Sequence, residues 1–250
     1  MPALANRGTQ LIDASTVLAG VLANLAMAAG AAAQASIGMG LNLFAVPILA
    51  LIDPVYVPGP VLVHSFLVAS AASYRLRDDI DWRELGIAAA GLLAGTALAA
   101  LLLMQLDPAR LPRVFGILVL AAVALTAAGY RIALTRRNLV AASSAAGVMG
   151  TIAGVHGPPI ALLYQHESPQ RIRSALLPFF AIANFISLLA LGAIGMLGWR
   201  EFEASLLLLP GLVAGFLAAP WLIRLLSART IRACILAISA ISGLALVLKT

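Results

Sequence analysis

Charged side chains divide this chain into eight apolar stretches: residues 14–52, 54–74, 85–106, 114–130, 138–166, 174–199, 204–223 and 233–248. Six of them have the length of one membrane-crossing helix. The other two do not fit a single helix. Segment 14–52 would extend about 58 Å if continuous, roughly twice the hydrocarbon thickness of a bilayer. It is interrupted at Ile37-Gly38-Met39-Gly40-Leu41-Asn42, ahead of Pro47. Segment 138–166 is interrupted at Gly154-Val155-His156-Gly157-Pro158-Pro159. Irregular backbone at membrane depth persists only where protein buries it or a polar cavity wets it. Two such breaks predict a transport site.

The pattern also repeats. GLLAGTALAALLL (91–103) matches GLVAGFLAAPWLI (211–223) without gaps, pairing Gly91 with Gly211 and Gly95 with Gly215 at a shift of 120. The two breaks match at a shift of 116, which a four-residue length difference between break and helices reconciles. The chain therefore reads as an all-α polytopic membrane protein of two repeats. The first, 14–130, has a broken hairpin at 14–52 and helices at 54–74, 85–106 and 114–130. The second, 138–250, has a hairpin at 138–166 and helices at 174–199, 204–223 and 233–248.

Charge decides the orientation. If each broken segment crosses the membrane, the sixteen Lys and Arg divide nine to seven; if each returns to its starting side, they divide five to eleven. The eleven are Arg75, Arg77, Arg83, Arg131, Arg136, Arg137, Arg171, Arg173, Arg224, Arg229 and Arg232. The positive-inside rule favours re-entrant hairpins, with both termini on the non-cytoplasmic side of the plasma (inner) membrane. Three crossings per half then make the repeats inverted, and the hairpin tips meet near the midplane.

Composition closes off other classes. The chain is 62% hydrophobic and 10% charged, and its polar stretches hold no soluble domain. The net charge of +6 marks cytoplasmic loops and not a nucleic-acid partner. The single Cys234 excludes a disulfide framework. Arg7, an apolar run and Ala-Ala-Ala-Gln-Ala (31–35) imitate a secretory signal, but the apolar run continues past the cleavage site. No GxxxxGK[ST] motif is present, and no cofactor is expected.

The candidate site is the pair of tips. The half-helices beginning near Leu41-Asn42 and Pro158-Pro159 present N-terminal ends with partial positive charge to a small anion. Gly38, Gly40, Gly154 and Gly157 permit close backbone approach. His156, inside the second break, can bind an anion or carry a proton. Asn42 offers a second side-chain hydrogen bond. His64 and Asn184, equivalent under the 120 shift, line the cavity, with Asn24 and Gln34 as further lining groups. Ser65, Ser70 and Ser73 are assigned to their own helix backbone. An intramembrane hydrolase using Ser143 or Ser144 with His156 is a weaker reading, and a passive anion channel could use the same tips.

These motifs resemble a known family. GMGLNLFAVPIL (38–49) and GTIAGVHGPPIALLY (150–164) resemble the two signatures of the sulfite exporter TauE/SafE (TSUP) family, and the segment from Leu207 to Leu248 is similar to its last two helices. The resemblance implies a permease with duplicated halves for sulfite, sulfonates such as sulfoacetate, or related organic anions. Where the usual first signature has more glycine, this chain has Leu41-Asn42.

Overall fold

In a computed structural model, which describes residues 14–37, 41–129, 132–225 and 227–249, the chain is helical throughout. The helices are α1 (Ala14–Ile37), α2 (Leu41–Ile52), α3 (Gly59–Tyr74), α4 (Trp82–Gln105) and α5 (Leu111–Ala128), then α6 (Arg136–Ala153), α7 (Gly157–Tyr164), α8 (Pro169–Ala193), α9 (Trp199–Leu225) and α10 (Ala228–Leu248). Local chemistry sets their starts. The side chains of Asp81, Thr135, Ser168 and Ser227 accept N–H groups of the first turns of α4, α6, α8 and α10, and prolines occupy the first turns of α3, α5, α7 and α8. Among the described residues seven helices are long and apolar enough to cross a membrane: α1, α3, α4, α5, α8, α9 and α10. The chain is a multi-pass membrane protein. The exceptions are α2, α6 and α7, the pieces flanking the breaks together with α1.

Close packing is built on glycine. Helix α4 lies along α6, with Gly91 against the backbone of Val140 and Gly95 against that of Ser144; a Cβ at Gly91 would stand 2.5 Å from the Val140 oxygen. Helix α9 lies along α1 in the same manner, with Gly211 against Asn24 and Gly215 against Ala28. The glycines differ by 120 and their contacts by 116, the two shifts read from the sequence. Hydrogen bonds reinforce both seams: Ser144 Oγ donates to the Gly91 carbonyl (2.9 Å), and the Asn24 amide bonds Leu207 O (2.9 Å) and Gly211 N (2.8 Å). Small residues allow this approach where lipid supplies no hydrophobic drive between helices.

The same contacts give direction. Because Gly91 meets Val140 and Gly95 meets Ser144, α4 and α6 run parallel and start at one end of the bundle. Glu84, in the first turn of α4, bonds Tyr164, the last residue of α7. The second interrupted segment thus returns to the end where it began. The first behaves likewise at the opposite end. There α1 starts beside the start of α9, and the chain leaving α2 brings Gly59 against Leu197 and Glu201, which flank the start of α9. The Lys249 Nζ, past the end of α10, donates to the Leu51 carbonyl near the end of α2 (3.3 Å). Corresponding helices of the two halves accordingly run in opposite directions.

Arg75, Arg77, Arg83, Arg136, Arg137, Arg171, Arg173, Arg224, Arg229 and Arg232 all stand where α3, α4, α6, α8, α9 and α10 meet the first of these ends, here termed the basic end. Arg131 lies outside the described residues.

Candidate functional site

The second break is made by Gly154. Its φ of +76° is a left-handed conformation that glycine adopts without strain, and its N–H closes α6 onto the Gly150 carbonyl (2.7 Å). Three residues later Gly157 starts α7. Pro158 and Pro159 fit that first turn but carry no N–H, so Gly157 supplies the free donor there. The start of α7 therefore offers fewer backbone donors than a half-helix without prolines.

The tips touch. Asn42, in the first turn of α2, donates its Nδ2 to the Gly154 carbonyl (2.6 Å), and its Oδ1 accepts the Ser65 hydroxyl of α3. The Asn42 amide therefore ties one break to the other. Gln34 of α1 in turn accepts the Leu41 N–H (3.2 Å), occupying the first donor of α2.

A cavity of about 220 Å³ extends from this junction. Gln34, Asn42, Ser65, His156, Gly157, Pro158 and Asn184 line its deep part, and Thr126, Tyr164, Gln165 and Arg232 carry it to the basic end. Arg232, exposed on the first turn of α10, holds its guanidinium by donating Nη2 to the Thr126 carbonyl at the end of α5 (2.9 Å). Among the described residues it is the permanently charged group of the lining.

His156 is fixed from behind. Its ring packs flat against Gly150, and Nε2 lies 3.0 Å from Ser187 Oγ of α8. Ser187 is 2.7 Å from Thr151 Oγ1, which donates to Thr96 Oγ1 of α4 (3.2 Å). Ser187 and Thr151 are 0% exposed, and His156 and Asn184 2%. Two of the lining residues each carry a buried side-chain atom with no protein partner among the described residues: His156 Nδ1 and Asn184 Oδ1. A buried polar atom left alone costs about 1–3 kcal/mol.

The structure thus brings together Asn42, Gly157, Pro158, His156 and Asn184, with Gly154 just behind. Gly38 and Gly40 lie outside the described residues. Leu41 is fully buried, its carbonyl pressed toward Gly30 of α1, and its side chain is not part of the lining. His64 is also absent from the lining. It is buried on α3, with Nδ1 2.8 Å from the Pro60 carbonyl one turn back. Asn184 makes the equivalent bond to Phe180 O (2.7 Å), but it is a lining residue and its Oδ1 has no partner. Asn24 sits in the α1–α9 seam. Ser65 belongs to the site after all, spending its hydrogen on Asn42 and not on its own helix. The hydroxyl beside His156 is neither Ser143 nor Ser144 but Ser187, which is fully buried and is not among the lining residues.

At the basic end Tyr164 joins the cavity to an ionic cluster. Its hydroxyl donates to Glu84 Oε1 (2.5 Å), and Arg171 Nη2 lies 2.6 Å from Glu84 Oε2. Glu84 so pins the end of α7 and the start of α8 to α4. Glu84→Ala leaves Tyr164 without its acceptor and Arg171 with Asp81 alone at 4.0 Å, and a loss of about 1–3 kcal/mol is expected, read as a lower midpoint of thermal unfolding in detergent.

A family model described as Sulfite exporter TauE/SafE matches residues 22–246. No curated protein and no solved structure gives a significant match.

Proposed function

Because the chain belongs to the sulfite exporter TauE/SafE family, a family of membrane permeases for sulfur-containing anions, we propose that it is a secondary transporter that binds its anion in the cavity between the two interrupted segments. The observation that carries this reading is the meeting of the breaks. Asn42 of one bonds Gly154 of the other, and two residues lining the space beside them, His156 and Asn184, each carry an unpartnered polar atom. Sulfite, a sulfonate such as sulfoacetate, or a related small organic anion fits a site of this size and polarity. Gly157 N–H and the partial positive charge at the start of α7 receive its oxygens, and His156 and Asn184 fix its orientation. Arg232 draws the anion in from the basic end.

The positive-inside rule assigns that end to the cytoplasm of the plasma membrane, so this conformation faces inward. The two inverted repeats then rock about the tips to open the other side. The opposed directions of corresponding helices and the matching glycine seams support that movement.

Counterflow of labelled sulfite and sulfoacetate in proteoliposomes tests the reading. A carrier gives uptake stimulated by unlabelled anion inside. Flux that neither saturates nor responds to internal anion would make the protein a channel. In the same assay Arg232→Gln is expected to raise the KM for cytoplasmic-side anion about tenfold at low salt, with a smaller effect at high salt, where screening weakens attraction to the mouth. An unchanged KM at low salt would remove Arg232 from the path.

A further inference from the structure

The hydroxyl chain beneath His156 determines which ring nitrogen holds the proton. A hydroxyl has one hydrogen to donate. Thr151 spends its hydrogen on Thr96, so in the 2.7 Å contact with Ser187 it accepts. Ser187 therefore donates to Thr151 and has none left for His156. The Nε2 of His156 must carry the hydrogen of the 3.0 Å bond. In the neutral ring that leaves Nδ1 as a bare lone pair, and it is the buried nitrogen without a partner. The other unpartnered atom, Asn184 Oδ1, is also an acceptor. The two lining residues proposed to orient the anion thus each carry an unpartnered acceptor, which repels one.

One added proton removes the contradiction. With hydrogen on Nδ1 the ring becomes a cationic donor, suited to a sulfonate or sulfite oxygen. Among the described residues no other side chain of the lining balances that charge. The other charged or titratable side chains around the cavity are Tyr164 of α7 and Arg232 of α10; α1, α2, α3, α5 and α8 contribute amides, hydroxyls and apolar groups. Behind the ring stand Gly150 and Thr151 of α6 and Thr96 of α4. Among the described residues no carboxylate faces the imidazole. Protonation without an anion buries an unpaired cation, and an anion without the proton meets a lone pair. Each is favourable only with the other.

We infer that the cavity takes up its anion together with one proton, held on His156 Nδ1, so that the protein is an anion–proton symporter. This rests on the transport reading above. The step is a protonation alone: neutral His156, one proton from water and the anion give an imidazolium–anion pair, and both leave together on the other side. No bond of the anion is broken.

The linkage has a definite sign. Where the free ring is mostly neutral and the anion-bound ring protonated, the apparent Kd rises as pH rises, close to tenfold per unit. Sulfoacetate is the suitable probe because its own charge is constant between pH 6.5 and 8.5. Purified protein in proteoliposomes with a trapped pH dye is given labelled sulfoacetate, with and without an inward proton gradient. The expected result is one proton entering per anion, and accumulation when the lumen is alkaline. His156→Gln keeps an N–H for Ser187 but cannot take a proton there. It should lose the proton flux and flatten the pH dependence of any remaining exchange. Wild-type uptake of sulfoacetate with no proton movement and no response to the gradient would overturn the coupling while leaving the transporter reading intact. Absence of any sulfite or sulfoacetate uptake by the folded wild type would overturn both. If the variant does not fold, the wild-type proton count decides alone.

Discussion

Replacing Gly150 with alanine is expected to reduce anion transport at least tenfold in a protein that still folds. The ring of His156 occupies the space a side chain at Gly150 would take, so a Cβ there collides with Cδ2, Nε2 and Cγ. The ring has one rotatable body to move, whereas the α6 backbone is held along α4 by Gly91, Gly95 and Gly147. The imidazole therefore swings away and the Nε2–Ser187 bond breaks, releasing the hydroxyl chain that fixes the tautomer. Loss of one buried hydrogen bond costs about 1 kcal/mol, and the methyl gained at a helical glycine offsets part of it. Uptake of labelled sulfoacetate and a thermal unfolding curve measured on the same preparation separate the two effects. Gly20→Ala serves as the comparison, because a Cβ at Gly20 has nothing within 4 Å. Its transport and stability should match the parent. Unimpaired transport in Gly150→Ala would show that the placement of His156 does not matter to the site.

The separation of structural from functional loss matters because the sequence makes these two kinds of position legible to different degrees. Spans follow from charge spacing, since a charged residue resists the hydrocarbon whatever its neighbours do. The differences are at helix ends. Helix α8 begins at Pro169, before the expected 174, because Ser168 caps it and Pro169 suits its first turn; it stops at Ala193 where Gly195 turns to a φ of +76°. Helix α9 starts at Trp199 and carries Pro210 and Pro220 within it. In the sequence, the re-entrant course expected for 14–52 and 138–166 rests only on arithmetic on Arg and Lys, a property of the whole chain.

The site was legible in part. His156 drew attention because it lies inside a break, where a polar residue has a reason to be. Ser187, Thr151 and Thr96 gave no such signal. Single hydroxyls on apolar helices ordinarily bond their own backbone, and their alignment depends on α4, α6 and α8 packing together. Arg232 was read as a cytoplasmic anchor, which its sequence position supports equally well. His64 was misplaced for an instructive reason. The shift of 120 correctly equates it with Asn184, and both bond the carbonyl four residues earlier. Repeat symmetry carries over backbone position, but not which side chain is left with a free polar atom.

Gly95→Leu and Gly215→Leu are expected to abolish the folded protein to a similar degree. At Gly95 a Cβ overlaps the backbone of Ser144, with the Ser144 carbonyl carbon 2.7 Å away; at Gly215 it overlaps Ala28, with the carbonyl carbon at 2.8 Å. These obstacles are main chain, so no rotamer change relieves them. The helices must part along their length. Parting α4 from α6 also breaks the Ser144–Gly91 bond, and parting α9 from α1 breaks both bonds of Asn24. Forcing a large side chain into a closed contact costs roughly 3 kcal/mol or more, a large share of ordinary stability. Monodisperse yield from detergent and resistance to proteolysis should fall nearly to zero in both variants. Gly95→Ala and Gly215→Ala should rank between parent and leucine, because one methyl already meets the carbonyl. If only one of the pair is damaging, the α4–α6 and α1–α9 seams are not equivalent, and the two halves do not form the matched pair that rocking about the tips needs.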